Sequence, residues 1–211
     1  MAARCAREIP PGSFVNLGIG TPTLVAARVP PGRGVMFMSE NGVLGVGPRP
    51  AKGEEHPDYI NASREPITLL PGASLFHHAD SFAMIRGGHI DIAVMGALQV
   101  SAEGDLANWT IPGEAFGGIG GAMDLAAGAK AVFVLMSHTT REGEPKILNA
   151  CIYPLTARRV VKKVFTDLAF IEVTERGLLL REVAPGVSPE EVQRLTEPPL
   201  LRVEPPGAMR P

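Results

Sequence analysis

The sequence predicts an α/β fold built on a mostly parallel sheet, and three observations carry that prediction. Short apolar runs rich in Val, Ile, Phe and Met recur along the 211 residues. Glycine turns and alanine-rich stretches separate them, the alternation expected of strands covered by helices. Two of the runs, 90–95 and 131–136, are apolar on both faces, which suits the centre of a sheet buried on both sides. Together these features describe an open, Rossmann-like sheet with helices over it.

Each element follows from local chemistry. Strands are expected at 14–17, 35–38, 67–70, 90–95, 131–136, 170–173 and 178–182, where β-branched, aromatic and long apolar residues lie between turn signals. One helix begins at Thr21, read as an N-cap ahead of Pro22 at the first helical position. A second covers 79–86 and stops at Gly87-Gly88, with Asp80 and Ser81 at its start. A third covers 123–129 after Gly120-Gly121. The last spans 189–195, where Ser188 and the Glu191 three residues on form a capping box. The stretch 48–57 is polar and punctuated by prolines, and reads as a mobile surface loop. Residues 1–196 form a single α/β domain on this reading. Beyond it, prolines at 198, 199, 205, 206 and 211 make 197–211 a proline-rich tail. Such a tail is extended or disordered, since it can form neither a continuous helix nor a central strand.

Composition narrows the partners. Hydrophobic residues make up 45% of the chain and charged residues 20%, enough for a sizeable core. With a net charge of −2 and a pI near 6.2, no global field draws in nucleic acid, and no basic run supplies a local footprint. No apolar run reaches the length of a membrane span, and residues 1–8 lack the apolar core of a signal peptide, so no membrane partner and a cytoplasmic location are expected. Cys5 and Cys151 stand far apart without CxxC or histidine spacing, so neither a metal site nor a disulfide framework is expected.

The candidate site lies after the second strand. Residues 35–38 run straight into Ser39-Glu40-Asn41-Gly42, in which Asn-Gly is a strong turn signal. Glu40 therefore sits at the carboxyl end of a strand, the edge at which open α/β sheets bind ligands. Gly42, Gly45 and Gly47 allow close backbone approach around it. Local spacing alone leaves open a second reading, a solvated turn glutamate.

Other motifs carry less. Gly18-x-Gly20 follows a strand and precedes a helix, but Thr23 stands where a dinucleotide fingerprint needs its third glycine. His77-His78 with Asp80 has no third ligand, and adjacent histidines point in different directions. Ser137-His138 and Cys151 lack the surroundings of a hydrolase nucleophile. Trp109 reads either as a packing anchor or as part of an acyl pocket wall. A non-enzymatic alternative is a Rossmann-like domain that senses an acyl-CoA or a sugar phosphate, since fold alone does not give function.

The longer string from Ser39 to Pro48 resembles the signature of the beta subunits of family I coenzyme A transferases, whose nucleophile is the glutamate of Ser-Glu-Asn-Gly. Asn16-Leu17-Gly18-Ile19-Gly20-Thr21-Pro22, Leu70-Pro71-Gly72-Ala73, Ser81-Phe82-Ala83-Met84-Ile85-Arg86-Gly87-Gly88-His89, Gly104-Asp105-Leu106-Ala107-Asn108-Trp109 and Gly120-Gly121-Ala122-Met123-Asp124-Leu125 are similar to further family segments, in family order. Met38 departs from the pattern, which has Gln or His there.

The resemblance implies that Glu40 attacks an acyl-CoA and then carries CoA as a thioester, in ping-pong kinetics. It implies Gly121 as a backbone oxyanion donor, with Asn41, Gly42, Gly45, Gly47 and Gly120 shaping the coenzyme site. Coenzyme A would be substrate and covalent intermediate, with no tightly bound cofactor and no metal. It also implies an alpha subunit that completes the site, because this chain shows no convincing phosphate loop or cation cluster. Asn108-Trp109-x-Ile111-Pro112-Gly113 is similar to succinyl-CoA:3-ketoacid enzymes, and Phe76-His77-His78-Ala79-Asp80-Ser81-Phe82 to 3-oxoadipate enzymes. The expected reaction moves CoA from succinyl-CoA or acetyl-CoA to a 3-oxo acid such as acetoacetate, with 3-oxoadipate as the alternative acceptor.

Overall fold

The two runs read as central do lie at the centre. A computed structural model describes residues 1–113 and 118–209. In chain order the strands of the main sheet begin with β1 (Phe14–Leu17), β2 (Met36–Ser39), β3 (Val43–Val46), β4 (Leu69–Leu75) and β5 (Ile92–Gly96). A small second sheet contains β6 (Gln99–Ser101), β7 (Leu106–Ala107) and, after β8 (Ala131–Leu135) of the main sheet, β9 (Ile147–Leu148). The main sheet is completed by β10 (Val161–Phe165), β11 (Ala169–Thr174), β12 (Gly177–Val183) and β13 (Leu200–Ala208). The helices are α1 (Ala2–Glu8), α2 (His78–Arg86), α3 (Ala122–Gly128) and α4 (Pro189–Arg194), with a 3-10 helix at Thr21–Arg28.

The ten-stranded sheet runs β13-β12-β11-β10-β8-β5-β1-β2-β3-β4. Its middle, from β10 to β2, is parallel throughout. The flanks β2-β3-β4 and β10-β11-β12 are antiparallel, and β13 returns parallel to β12. The expected open α/β sheet is therefore present, with hairpins extending it on both sides. Side chains of successive strand residues point to opposite faces, so each central strand feeds two cores. Val15, Phe37, Ile92, Val94 and Phe133 pack under α1 and the 3-10 helix, against Cys5, Ala6 and Val25. Met38, Ala93, Met95, Val132 and Val134 pack against Ile85 of α2, Leu125 of α3 and Val192 of α4.

Several boundaries differ from expectation for identifiable reasons. Thr21 is not a cap: Gly20, at φ +84°, occupies the cap position, the segment winds as a 3-10 helix, and the Thr23 hydroxyl donates to the Gly20 carbonyl at 2.8 Å. Helix α2 starts one residue early, because His77 Nδ1 accepts from the Ala79 amide at 3.1 Å and caps it. Ser81, read as part of the helix start, is fully buried inside it. The strand expected at 67–70 is Leu69–Leu75, running through Pro71-Gly72, which an edge position tolerates.

Ser188 caps α4 as expected, its hydroxyl accepting from the Glu191 amide at 3.1 Å, while among the described residues no return bond runs from the Ser188 amide to the Glu191 side chain, so the capping box is present by half. Residues 48–57 carry no helix or strand. Within the stretch read as an extended or disordered tail, residues 200–208 form edge strand β13, which accommodates its prolines because only one side must pair. Pro211 lies outside the described residues. Among the described residues no helix is long and apolar enough to cross a membrane.

Candidate active site

Strand β2 ends at Ser39, and the chain reverses through Glu40, Asn41 and Gly42 into β3, with Ser39 paired to Val43. The reversal is closed by the Gly42 amide donating to the Ser39 carbonyl at 3.0 Å. Gly42 adopts φ +119°, and a Cβ there would come within 2.2 Å of the Phe76 carbonyl oxygen, so a residue without a side chain is required. The Phe76 amide in turn donates to the Gly42 carbonyl at 3.0 Å, which sets the start of α2 directly against the turn. On its other side the turn is fastened to 60–62. Asn41 Nδ2 donates to the Ile60 carbonyl at 2.7 Å, and the Ser39 hydroxyl accepts from the Ala62 amide at 2.8 Å.

The Glu40 carboxylate is half-buried. Asn16, on β1 and directly beside Met38 in register, extends its amide across to it: Nδ2 lies 3.0 Å from Glu40 Oε2 and 3.3 Å from the Met38 carbonyl. A carboxylate at the carboxyl end of β2, held on one oxygen in a half-buried residue, has the chemistry of a candidate nucleophile. From sequence, Asn16 was only the first residue of a family segment and carried no role. A signal for it exists, since it is the one polar residue in the otherwise apolar run of β1.

The glycines assigned to the coenzyme site have internal tasks as well. Gly45, at φ +87°, lets Ala73 of β4 approach within 3.0 Å of where its Cβ would be, and Gly47 lies against Thr68. The close approach at Gly42, Gly45 and Gly47 is thus made by the chain's own neighbouring segments. Gly121 caps α3, and a Cβ there would meet the Phe82 ring at 2.6 Å; Gly120, at φ +49°, precedes it on the surface. Among the described residues no hydrogen bond joins Gly120 or Gly121 to the Glu40 turn. The two regions are linked through the stretch that leads into and forms the first half of α2, with Phe76, just before the helix, against Gly42 and Phe82, within it, against Gly121.

The other motifs resolve into structure. His138 is fully buried with its two ring nitrogens 2.9 Å from the hydroxyls of Thr166 and Thr196. Burial pushes its pKa down to about 4, with Asp167 opposing and Lys146 adding to the shift. Burial likewise raises the Cys151 thiol to about 11, far from a reactive thiolate. Asn108 Nδ2 donates to the Gly96 carbonyl at 3.2 Å, setting Trp109 near the carboxyl end of β5. An apolar cavity of about 770 Å³ lies between the 3-10 helix and β2–β4. Met38 and Ser39 line it, whereas Glu40 does not, so volume and chemistry point to different places.

Comparison with known proteins identifies the family. Residues 1–195 match the family model described as Coenzyme A transferase. Similar proteins include the B chain of the 3-oxoadipate CoA-transferase of Acinetobacter baylyi, 52% identical over 202 residues, 95% of this chain and 93% of that one. The B chain of the succinyl-CoA:3-ketoacid coenzyme A transferase of Helicobacter pylori is also 52% identical, over 92% of this chain and 93% of its own. Among solved structures, the apoenzyme of the acyl-CoA transferase YdiF from Escherichia coli O157:H7 shares the fold with a TM-score of 0.77 at 18% identity. That match covers 99% of this chain and 43% of the other. The chain belongs to the coenzyme A transferases of family I, as a beta-type subunit.

Proposed function

We propose that this chain is the catalytic subunit of a transferase that moves CoA from succinyl-CoA or acetyl-CoA to a 3-oxo acid such as acetoacetate, with Glu40 as nucleophile. The observation that carries the reading is the half-buried Glu40 carboxylate at the carboxyl end of β2, held at 3.0 Å by the amide of Asn16. One oxygen of Glu40 attacks the thioester carbonyl, the C–S bond breaks, and an acyl-glutamyl anhydride and a CoA thiolate result. The thiolate then adds to the glutamyl carbon and expels the first acid, leaving CoA on Glu40; the acceptor acid reverses the two steps. The thioester's free energy is conserved because water never enters as acceptor. Gly121 at the mouth of α3 is a candidate backbone donor for an oxyanion, and Asn41, Gly42, Gly45, Gly47 and Gly120 are candidates to shape the coenzyme site.

A second, alpha subunit would supply the remaining donor and much of the CoA contact. The names of the relatives, each one lettered chain of a transferase, support this, as do exposed apolar residues at the same sheet edge: Ile19 beyond β1, Leu24, and Leu75 at the end of β4. 3-Oxoadipate as acceptor is the second reading, favoured by the likeness to the Acinetobacter baylyi protein. Turnover of the two-subunit enzyme with acetoacetate against 3-oxoadipate separates them.

The nucleophile is tested by incubating the complex with acyl-CoA, adding borohydride or hydroxylamine, and weighing the peptide that contains Glu40. A mass change there is expected; none in an active preparation refutes the mechanism. Glu40→Asp is expected to fold normally and to be nearly inactive, because losing one methylene withdraws the carboxylate by about 1 Å.

A further inference from the structure

Asn16 sits on β1, an interior strand of the parallel array paired with β5 on one side and β2 on the other, and is completely buried. An amide in such a place is costly unless its groups are paired. Both hydrogens of Nδ2 are spent, on Glu40 Oε2 at 3.0 Å and on the Met38 carbonyl at 3.3 Å. Both neighbours are acceptors only, so the nitrogen must face them, and Oδ1 is left buried without a hydrogen-bond partner. The fold therefore bears an orphaned acceptor in its interior. An apolar residue of similar size would remove that burden, so what the position requires is the N–H pair, and one of the two hydrogens is aimed at Glu40.

We propose that Asn16 selects the reacting oxygen of Glu40 and serves as the hydrogen-bond donor to the other; this rests on Glu40 being the nucleophile. With Oε2 engaged, the lone pairs of Oε1 are the ones free to form the new bond to the acyl carbon as the acyl C–S bond breaks. When the CoA thiolate adds to the glutamyl carbon, the electron pair of the remaining C=O moves onto Oε2, where Nδ2–H already points. Collapse re-forms that C=O, breaks the bond from the glutamyl carbon to Oε1, and the first acid departs as a carboxylate carrying Oε1. In the thioester the same N–H holds the carbonyl oxygen for attack by the acceptor acid. Because the second hydrogen of Nδ2 binds the Met38 carbonyl, side chain and backbone of the nucleophile's strand are gripped by one rigid group, which limits the rotation Glu40 must lose on reacting.

The test uses the two-subunit enzyme and acetoacetyl-CoA, following thioester formation on the Glu40 peptide by mass after rapid borohydride quenching. Asn16→Ala should slow that half-reaction on the order of 100-fold, the loss typical of one oxyanion donor, with KM for acyl-CoA little changed. Asn16→Asp is isosteric, and burial on β1 pushes the introduced carboxyl toward its protonated form. Its rate should rise as pH falls and the introduced carboxyl becomes a donor, while the rate of Asn16→Ala stays flat over the same range. Thermal melting of each variant across that range reports folding separately. Wild-type rates in both variants overturn the inference. So does a pH-independent Asn16→Asp rate with loss confined to KM or melting temperature, since Asn16 would then serve only the fold. A wild-type enzyme that turns over without modifying Glu40 removes the nucleophile reading, and the role of Asn16 with it.

Discussion

His138 should make this protein lose stability between neutral and mildly acidic pH. The Thr196 hydroxyl donates to the Val192 carbonyl at 2.8 Å, so toward His138 Nε2 it accepts, and Nε2 carries the hydrogen. The Thr166 oxygen already accepts from the amides of Leu168 and Ala169 at 3.1 and 2.9 Å. Its own hydrogen has two acceptors in reach, the Ala169 carbonyl at 3.2 Å and Nδ1 at 2.9 Å. A proton on Nδ1 would face a hydroxyl oxygen with no lone pair left. Burial of the ring brings the folded pKa to about 4, below an ordinary value of 6.5.

Because the folded pKa is the lower one, the unfolded chain takes up the proton first. The contribution of neutral His138 is complete above about pH 7, is lost as pH falls from 6.5 toward 4, and is gone below that. The full shift corresponds to about 3 kcal/mol, of which about 2 kcal/mol falls between pH 7 and pH 5. Urea unfolding at half-unit intervals, for wild type and for His138→Gln, isolates the effect, because other titrating groups cancel in the difference. The pH slope of the variant should be shallower by those amounts. Identical slopes would refute the reasoning, whatever the absolute stability of the variant.

Two other substitutions probe the frame of the site. Gly42→Ala should destabilise by about 3 kcal/mol, since it combines a strained left-handed backbone with a clash against the Phe76 carbonyl; unfolding midpoints check it, and a near-neutral result would mean that the turn relaxes freely. Ser188→Ala should cost about 1 kcal/mol through loss of the α4 cap, read as a fall in melting temperature of about 2–4 °C.

The parts of the fold legible in the sequence were those whose signal is local. The runs containing Ile92 and Val132 are apolar on both faces, and Ser188 precedes its Glu191 at capping distance, so central strands and the last helix could be read directly. Strand β3 was obscured because Gly45 breaks its β pattern, and that glycine lets Ala73 come close, a contact with a residue far along the chain. Strand β13 was hidden by prolines whose meaning depends on lying at an edge. For the site, the Asn-Gly turn placed Glu40 correctly, whereas its partner Asn16 stands 24 residues earlier and becomes adjacent only when β1 and β2 pair. Sequence spacing has no access to that register.

The prolines at the two ends of the sheet set how this chain can meet another. An open ten-stranded sheet presents two rows of unpaired amides, which invite a foreign strand to add on and, repeated, lead to fibrous aggregation. Outer strand β4 carries Pro71 followed by Gly72 at φ +84°, and outer strand β13 carries Pro205-Pro206-Gly207 where its register against β12 slips. Proline has no amide hydrogen, so each break interrupts the regular run of donors that a foreign strand would pair with. Interrupted margins disfavour templated growth, which leaves recognition of a second chain to loops and helix faces, where side-chain identity decides which partner is accepted.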